Sequence, residues 1–150
     1  MSHLDNTQRI VRSALSWVGT PYHHQQRLKG VGVDCAHLIA GIAIECNLIS
    51  ADSILPMDYS PEWNMHNREE LLLGYLADFG CTEKTSLDPG DIICFTIGQA
   101  VGHIGIYVGD MKYVHAQNMT MPRQVTINTL SGRWQKRHSH TFAFPRSITI

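Results

Sequence analysis

The most informative run in this sequence is DCAHLIAGIAIECNL, residues 34–48. Asp34 is a suitable N-cap, because its carboxylate can accept hydrogen bonds from the free amides at the start of a helix. Apolar residues then occupy almost every position as far as Leu48, so no polar face is left. A helix that is apolar all round must be buried. We therefore predict a central helix over residues 35–48, with Cys35 in its first turn.

Two further helices are predicted, one on each side of the central one in the sequence. The first follows the capping cluster of residues 5–7 and ends before Gly19, and its apolar residues recur at helical spacing. The other extends from about Asn67 to Phe79. There Asn67 and Glu70 have the spacing of a capping box, and Gly80 suits the C-terminal stop.

The pattern changes after Asp88-Pro89-Gly90 to short β-branched and aromatic runs that are separated by turns. These runs cover residues 91–97, 103–109, 112–117, 124–130 and 141–144. Helices followed by strands predict an α+β fold, with N-terminal helices packed on an antiparallel sheet of about five strands. Because no repeat or linker interrupts the chain, we predict a single domain over residues 1–150.

The composition excludes several classes of protein. Hydrophobic residues make up 43% of the chain and charged residues 17%, which is typical of globular proteins. The net charge of -1 provides no basic surface for a phosphate backbone, so we expect no nucleic acid as a partner. No apolar run approaches the roughly 18–20 residues of a membrane span, and the start MSHLDNTQR lacks the apolar core of a secretory signal. We expect a protein made in the cytoplasm without a signal peptide.

The four cysteines are Cys35, Cys46, Cys81 and Cys94, and their spacing does not indicate disulfides. Cys35 and Cys46 fall on one predicted helix about 16 Å apart, which is beyond disulfide reach. The last three cysteines are interpreted as small core residues. Cys35 differs, because the amide dipoles at a helix start favour an anion and lower the pKa of a thiol. The neighbouring Asp34 opposes this effect.

Two histidines are candidate partners for a Cys35 nucleophile. A three-residue loop at positions 109–111 would place Gly105 opposite His115, so that His103 and His115 become diagonal neighbours on one face. A two-residue loop would put them on opposite faces. In this hypothesis His103 accepts the thiol proton, His115 orients it, and the thiolate attacks an amide to form an acyl-enzyme. Gly105 would let the cysteine helix approach the sheet.

Three weaker features are interpreted as structural. The pairs His23-His24 and His138-x-His140 lack a third ligand at useful spacing, so no metal or other cofactor is predicted. A group of aromatic and methionine residues is interpreted as a flap or packing segment: Tyr59, Trp63 and Met65. The basic C-terminal residues are interpreted as a solvated edge rather than an anion site: Arg133, Lys136, Arg137 and Arg146.

Several of these segments resemble the NlpC family of cell-wall cysteine peptidases. They are Gly19-Thr20-Pro21-Tyr22, residues 30–35, Pro89-Gly90-Asp91, HIGIYVG at 103–109 and Val114-His115-Ala116. The resemblance extends over nearly the whole chain. It implies a papain-like α+β fold and the chain order of nucleophilic Cys, basic His and a third polar residue.

The resemblance also implies a role for individual residues. Cys35 is then the nucleophile, His103 the base and His115 the orienting residue. Tyr22 matches a tyrosine that lines the site and assists the oxyanion, and Asp34 matches an acid that holds the free amine of the stem peptide. The family's Asp-Cys-Ser-Gly is here Asp34-Cys35-Ala36-His37, which lacks the serine hydroxyl. The implied substrate is a peptidoglycan stem peptide, cut between γ-D-Glu and the following diamino acid without a metal.

The short phage-borne branch of the family offers the closest resemblance. Its elements match Gly19–Gln25, Lys29–Gly32 and Tyr59–Trp63. We therefore expect a virion tail component that opens the cell wall locally, with other tail proteins as partners. Two alternatives stay open. One is a tail assembly protein that keeps the fold with little activity, and the other is a thiol amidase or acyltransferase that acts on another amide.

Overall fold

The computed structural model describes residues 3–51, 71–98 and 100–146. Its helices are α1 (His3–Ser16), α2 (Cys35–Glu45), α3 (Leu71–Asp78) and α4 (Gly132–Arg137). Its strands are β1 (Arg27–Leu28), β2 (Gly32–Val33), β3 (Thr82–Lys84), β4 (Ile92–Ile97), β5 (Ala100–Gly109), β6 (Lys112–Ala116), β7 (Val125–Thr129) and β8 (His138–Ala143). The proposed flap residues Tyr59, Trp63 and Met65 and the capping pair Asn67 and Glu70 lie outside the described residues. Within the described ranges, every helix is too short or too polar to cross a membrane.

The strands form a main antiparallel sheet in the order β3-β8-β4-β5-β6-β7, and β1 pairs with β2 beside it. The predicted α+β architecture is therefore confirmed. The main sheet has six strands among the described residues rather than about five. The additional strand is β3, whose residues Thr82–Lys84 pair with β8 at the edge of the sheet. This strand is short and polar, so it lacks the alternation of apolar residues by which a strand is identified.

The predicted central helix is α2. The Asp34 carboxylate accepts a hydrogen bond of 2.8 Å from the backbone N–H of His37, which confirms Asp34 as the N-cap. Every residue from Cys35 to Ala43 is buried. Trp17, which directly follows α1, packs against Gly41 of this helix, and its indole Nε1 donates a hydrogen bond of 2.9 Å to Glu45. The helix ends at Glu45, three residues earlier than predicted.

The sheet has two apolar faces. The face toward α1, α2 and α3 carries the main core, which includes Ile92, Cys94, Ile104 and Ile106. The opposite face carries a second cluster around Phe95. Trp134 of α4 covers that cluster, and its ring centroid lies 5.1 Å from the Phe95 ring. Functional side chains of the sheet can therefore be buried on the side away from α2.

The β5–β6 hairpin closes through a two-residue turn, not through the predicted three-residue loop. Gly109 pairs with Lys112, and the turn residues Asp110 and Met111 have φ angles of 54° and 59°. Two successive residues in the left-handed region are typical of a type I′ turn, whose twist matches that of the flanking strands. The prediction of a three-residue loop is wrong because it assigned Gly109 to the turn.

A β-bulge at Val108 compensates for the shorter turn. The register shifts between Tyr107 and Gly109, so Tyr107 pairs with Tyr113 although Gly109 pairs with Lys112. A two-residue turn alone would shift the pairing by one residue and so exchange the two faces of the strand. The extra residue Val108 cancels this shift and restores the register that a three-residue loop would have produced.

We expect Gly41→Ala to destabilise the fold, because a Cβ at this position would lie 2.6 Å from Cζ2 of Trp17. Overpacking of this kind costs about 1–3 kcal/mol in the free energy of unfolding, which urea denaturation followed by circular dichroism would measure. Gly74→Ala is the matched control in α3. A Cβ there meets nothing within 4 Å, so the helix propensity of alanine should stabilise the protein by up to about 1 kcal/mol. A Gly41→Ala protein as stable as the wild type would contradict this packing.

Candidate active site

A chain of hydrogen bonds joins two buried imidazoles to an amide. His103 Nε2 and His115 Nδ1 lie 2.7 Å apart, and His115 Nε2 lies 2.9 Å from Oδ1 of Asn128. Asn128 Oδ1 also accepts a hydrogen bond of 2.8 Å from the Thr126 hydroxyl. We call His103, His115 and Asn128 the imidazole relay. The two imidazoles therefore converge as the sequence predicts, and Asn128 is an addition that only the structure supplies.

The hydrogen bonds of the relay fix its tautomers. An amide oxygen can only accept, so the proton of neutral His115 lies on Nε2, and its Nδ1 is an acceptor. His103 must then donate from Nε2 to His115 Nδ1. A neutral His103 consequently keeps its lone pair on Nδ1, and this nitrogen is the basic position of the relay.

The backbone around the relay is irregular where the side chains need space. The register of β4 and β5 shifts beside His103, with Gly102 as the extra residue of β5. A bulge of this kind re-aims the neighbouring side chain. At Gly105 a Cβ would lie 2.7 Å from the Val114 carbonyl oxygen and 3.0 Å from Cβ of His115. Gly105 therefore makes room for His115. The prediction that it makes room for the cysteine helix is wrong, because the nearest atoms belong to β6.

Aromatic rings enclose the relay. The Trp134 ring lies 5.7 Å from the His103 ring and 6.3 Å from the His115 ring, and Phe95 and Tyr113 pack on the remaining sides. Burial lowers the pKa of His115 from 6.5 to about 4, although its hydrogen bond to Asn128 acts in the opposite direction. Burial, and then the proximity of His115, lower the pKa of His103 well below 6.5. Both imidazoles are therefore neutral at pH 7.

Cys35 is the first residue of α2, and it is buried, with 8% of its surface exposed. Burial and then the Asp34 charge raise the pKa of its thiol to about 12. Backbone hydrogen bonds at Ile104, Ala36 and Cys35 itself act in the opposite direction. The expectation of a lowered thiol pKa is wrong for this structure, because the loss of solvation outweighs the helix-start amides.

The thiol and the relay meet the same stretch of β5. Ile104, whose backbone is hydrogen-bonded to the Cys35 thiol, directly follows His103 in the chain. Across residues 3–51, 71–98 and 100–146, no hydrogen bond joins this thiol to either imidazole. The structure thus brings His103 and His115 into contact, and it brings Cys35 to the strand beside them.

Asp34 is 1% exposed, and both of its carboxylate oxygens bind groups of this chain. Oδ1 accepts hydrogen bonds of 2.8 Å from the backbone N–H of His37 and lies 2.8 Å from its ring Nδ1. Oδ2 accepts a hydrogen bond of 2.7 Å from the backbone N–H of Gln25, and Nδ1 of His24 lies 3.8 Å away. Asp34 therefore fixes the loop before α2 to the helix start. His37, one of the two departures from the family motif, is its buried partner.

Tyr22 is held by a segment that bridges two parts of the fold. Its backbone N–H donates to the Arg123 carbonyl over 2.9 Å, and its neighbour Pro21 accepts from Val33 over 3.0 Å. Val33 directly precedes Asp34, so this bridge connects Tyr22 to the cysteine loop. Burial and then the proximity of Cys35 and Asp34 raise the pKa of the Tyr22 phenol. Tyr22 therefore keeps its O–H and can donate a hydrogen bond near the thiol.

Three residues of this region were not identified from the sequence: Asn128, Trp134 and Tyr75. Asn128 lies on β7 opposite Tyr113, two residues after Thr126, which pairs with His115. Only this register could have identified Asn128, since one polar residue in a polar strand carries no signal. Tyr75 of α3 is buried, and its pKa is raised by burial and then by Asp34 and Cys35. Among the described residues, its hydroxyl has no hydrogen-bond partner.

Two further findings concern the chemistry of the site. Within the described residues none of the four cysteines forms a disulfide, and Cys35, Cys46 and Cys94 are buried whereas Cys81 is partly buried. In the part of the chain that the structure describes, no three His, Cys, Asp or Glu side chains are grouped so that they could hold a metal ion.

The NlpC/P60 family model matches residues 19–143, which include every residue of the candidate site. The chain belongs to the NlpC/P60 family. None of the curated proteins with which the sequence was compared matches it. The family assignment therefore depends on the match over residues 19–143, and the solved structures compared below agree with it in fold.

Solved structures with the NlpC/P60 fold superimpose on most of the chain. The NlpC/p60 domain of the peptidoglycan hydrolase SagA has 14% identity and a TM-score of 0.60, with 92% of this chain and 98% of that one covered. A Bacillus cereus NlpC/P60 family protein has 18% identity and a TM-score of 0.63, with 93% and 40% covered. A Staphylococcus aureus protein described as similar to a lipoprotein has 20% identity and a TM-score of 0.61, with 98% and 43% covered. This chain thus spans less than half of the last two.

We expect the buried imidazoles to make the stability of this NlpC/P60 domain decrease in acid. Their folded-state pKa values are lower than the 6.5 of an unfolded chain, so the unfolded state binds protons that the folded state does not. The free energy of unfolding should therefore fall as the pH drops from about 6.5 to 4, by up to about 1.4 kcal/mol per pH unit for each imidazole. Urea denaturation at several pH values would measure this decrease.

The matched variants are His115→Gln and His23→Gln. Loss of His115 should flatten the decrease, whereas loss of the exposed His23 should leave it unchanged. A wild-type stability that stays constant over this pH range would contradict the neutral state of the relay.

Proposed function

We propose that this protein is a cysteine peptidase that hydrolyses the peptide stems of peptidoglycan, with Cys35 as the nucleophile and His103 as the base. The observation that carries the proposal is the imidazole relay, with its distances of 2.7 Å and 2.9 Å, beside the buried thiol at the start of α2. Two imidazoles in one hydrogen-bonded chain are costly to bury, since both must stay neutral. This cost is understandable if the relay moves a proton.

The reaction begins from a neutral thiol and a neutral imidazole. His103 Nδ1 accepts the Sγ proton as Sγ attacks the carbonyl carbon of the peptide bond, and the carbonyl oxygen becomes an oxyanion. His115 accepts a hydrogen bond from His103 Nε2–H and so stabilises the imidazolium. The hydrogen bond between thiol and imidazole forms when substrate binds, because catalytic hydrogen bonds often tighten only in the complex.

The oxyanion then collapses. The C–N bond breaks, and the leaving amine takes the proton from His103 Nδ1, which leaves a thioester on Cys35. Water attacks the thioester after losing a proton to His103, and the acid is released as the thiol forms again. The protonated Tyr22 hydroxyl and the amides at the start of α2 are the donors near the oxyanion. Asp34 fixes these amides and, in this proposal, also faces the amine of the substrate.

The family supports a peptidoglycan substrate. The similar domain of SagA belongs to a peptidoglycan hydrolase. The resemblance of the segments at 19–25, 29–32 and 59–63 to the phage-borne branch supports a virion tail protein. We propose cleavage between γ-D-Glu and the diamino acid, and delivery with the virion to the cell wall. Detection of the chain by mass spectrometry in purified particles tests the placement, and its presence only in soluble host fractions would contradict it.

A second candidate is a tail assembly protein that keeps the fold with little activity. The raised pKa of Cys35 favours this function, because an active cysteine commonly has a lowered pKa. The third candidate, a thiol amidase or acyltransferase, uses the same relay on another amide. Activity on defined muropeptides separates these functions from the proposed one.

We expect purified protein to release the γ-D-Glu peptide from defined muropeptides, as followed by liquid chromatography and mass spectrometry. Cys35→Ala should abolish this release because it removes the nucleophile, whereas Cys81→Ala should retain it because Cys81 lies outside the relay and the start of α2. Equal rates for the wild type and Cys35→Ala, or no release at all, would favour the assembly protein.

We also expect Asn128→Ala to lower kcat about 10-fold or more with little change in KM. Without its Oδ1, His115 loses the partner that fixes its tautomer and orientation, so the proton transfer by His103 is impaired. Asn118→Ala is the matched control, since Asn118 is exposed and lies outside the relay. If both variants had wild-type kcat, Asn128 would have no part in catalysis.

A further inference from the structure

A cavity of about 550 Å³ opens beside the relay. His115 and Asn128 form part of its wall, and the other walls come from the loop over residues 117–122 and from α4. Neither Cys35 nor Tyr22 lines it. The cavity therefore extends the site beyond the reacting groups, on the side where His115 contacts Asn128.

The charge of the cavity wall is entirely positive at neutral pH. Arg133 and Arg137 of α4 line it, and its lining residues include no Asp or Glu. Arg137 also stacks on Trp134, with Cζ 5.4 Å from the ring centroid. Within the described ranges, neither arginine forms an ion pair. Two uncompensated guanidinium groups over one cavity are suited to an anion, and their planar geometry matches a carboxylate.

The loop that forms the opposite wall is ordered by one buried side chain. Gln117 Nε2 donates to the carbonyl oxygens of Thr120 and Pro122 over 2.8 Å and 2.7 Å. Its Oε1 accepts from the backbone N–H groups of Met119 and Thr120, each over 2.9 Å. The amide thus uses both its donors and its acceptor on the loop. A wall fixed in this way holds the cavity open without a ligand, which reduces the entropy cost of binding.

The side chains that face the cavity are of two kinds. Met119 and Met121 are 51% and 78% exposed and line it together with Trp134. Methionine and tryptophan provide an apolar, adaptable surface on which a peptide backbone or side chain can lie. A free inorganic anion would use only the arginines, whereas an acidic peptide uses both kinds of wall. The combination favours a peptide that carries a carboxylate.

We infer that this cavity is a substrate subsite that binds a carboxylate of the stem peptide between Arg133 and Arg137, with the adjoining chain against Trp134 and the methionines. The inference rests on the proposed function, since it names the part of the substrate that the cavity takes. His115 belongs both to the cavity wall and to the relay, so a peptide held here lies beside the catalytic pair. The basic residues Arg133 and Arg137 then form an anion site and not the solvated edge that the sequence indicated.

Isothermal titration calorimetry on the Cys35→Ala protein tests the subsite without turnover. The probes are a stem peptide that ends at the diamino acid with a free carboxylate, and the same peptide with that carboxylate amidated. We expect the amide to bind about 10-fold more weakly, because a hydrogen-bonded ion pair is lost. Adding Arg133→Gln and Arg137→Gln should weaken binding of the acid by a similar factor and should leave the amide unaffected.

Lys136→Gln is the matched control, because Lys136 lies between the two arginines in α4 but does not line the cavity. It should change neither affinity. Three results would overturn the inference. They are equal affinity for the acid and the amide, an unchanged affinity for the acid after loss of both arginines, and no binding of either peptide at about 1 mM. The two proposals can fail separately. If the muropeptide assay shows no release but the acid still binds more tightly than the amide, the proposed hydrolysis is wrong and the subsite is supported.

Discussion

The hydrogen bond between His103 and His115 is the constraint on which the rest of the site depends. Its 2.7 Å length requires both imidazoles on one face of β5 and β6, which only one register allows. The hairpin reaches that register through a tight type I′ turn and a bulge at Val108, a combination that adjusts the strand by one residue. Asn128 then fixes the tautomers from β7. The relay is thus a property of three strands together.

Burial gives this site its electrostatic character. Aromatic rings keep water away from the relay and hold both imidazoles neutral, and the start of α2 keeps the Cys35 thiol neutral in the same way. Asp34 adds to this effect on the thiol, yet its carboxylate caps α2 and fixes the loop before it. The residue that orders the start of α2 therefore also opposes ionisation of the Cys35 thiol. The proposed mechanism, in which a neutral thiol and a neutral imidazole exchange a proton during attack, is consistent with both facts.

The fold tolerates large changes of sequence because few features define it. Identities of 14–20% accompany TM-scores of 0.60–0.63 with the NlpC/P60 structures compared here. What the fold requires is a capped apolar helix and alternating strands of the right register, and many residues satisfy these demands. His37 illustrates this freedom. It replaces a small residue of the family motif, and its ring finds a buried partner in Asp34 at 2.8 Å.

The sequence by itself determined the α+β class and the buried helix with Asp34 as its cap. Each of these follows from local chemistry: a capping side chain, an uninterrupted apolar run, and the alternation of side chains along strands. Only the tertiary structure decided the ionisation of Cys35, the place of Asn128 in the relay and the cavity beneath Arg133. These depend on desolvation and on contacts between distant segments, and no spacing within one segment encodes such effects.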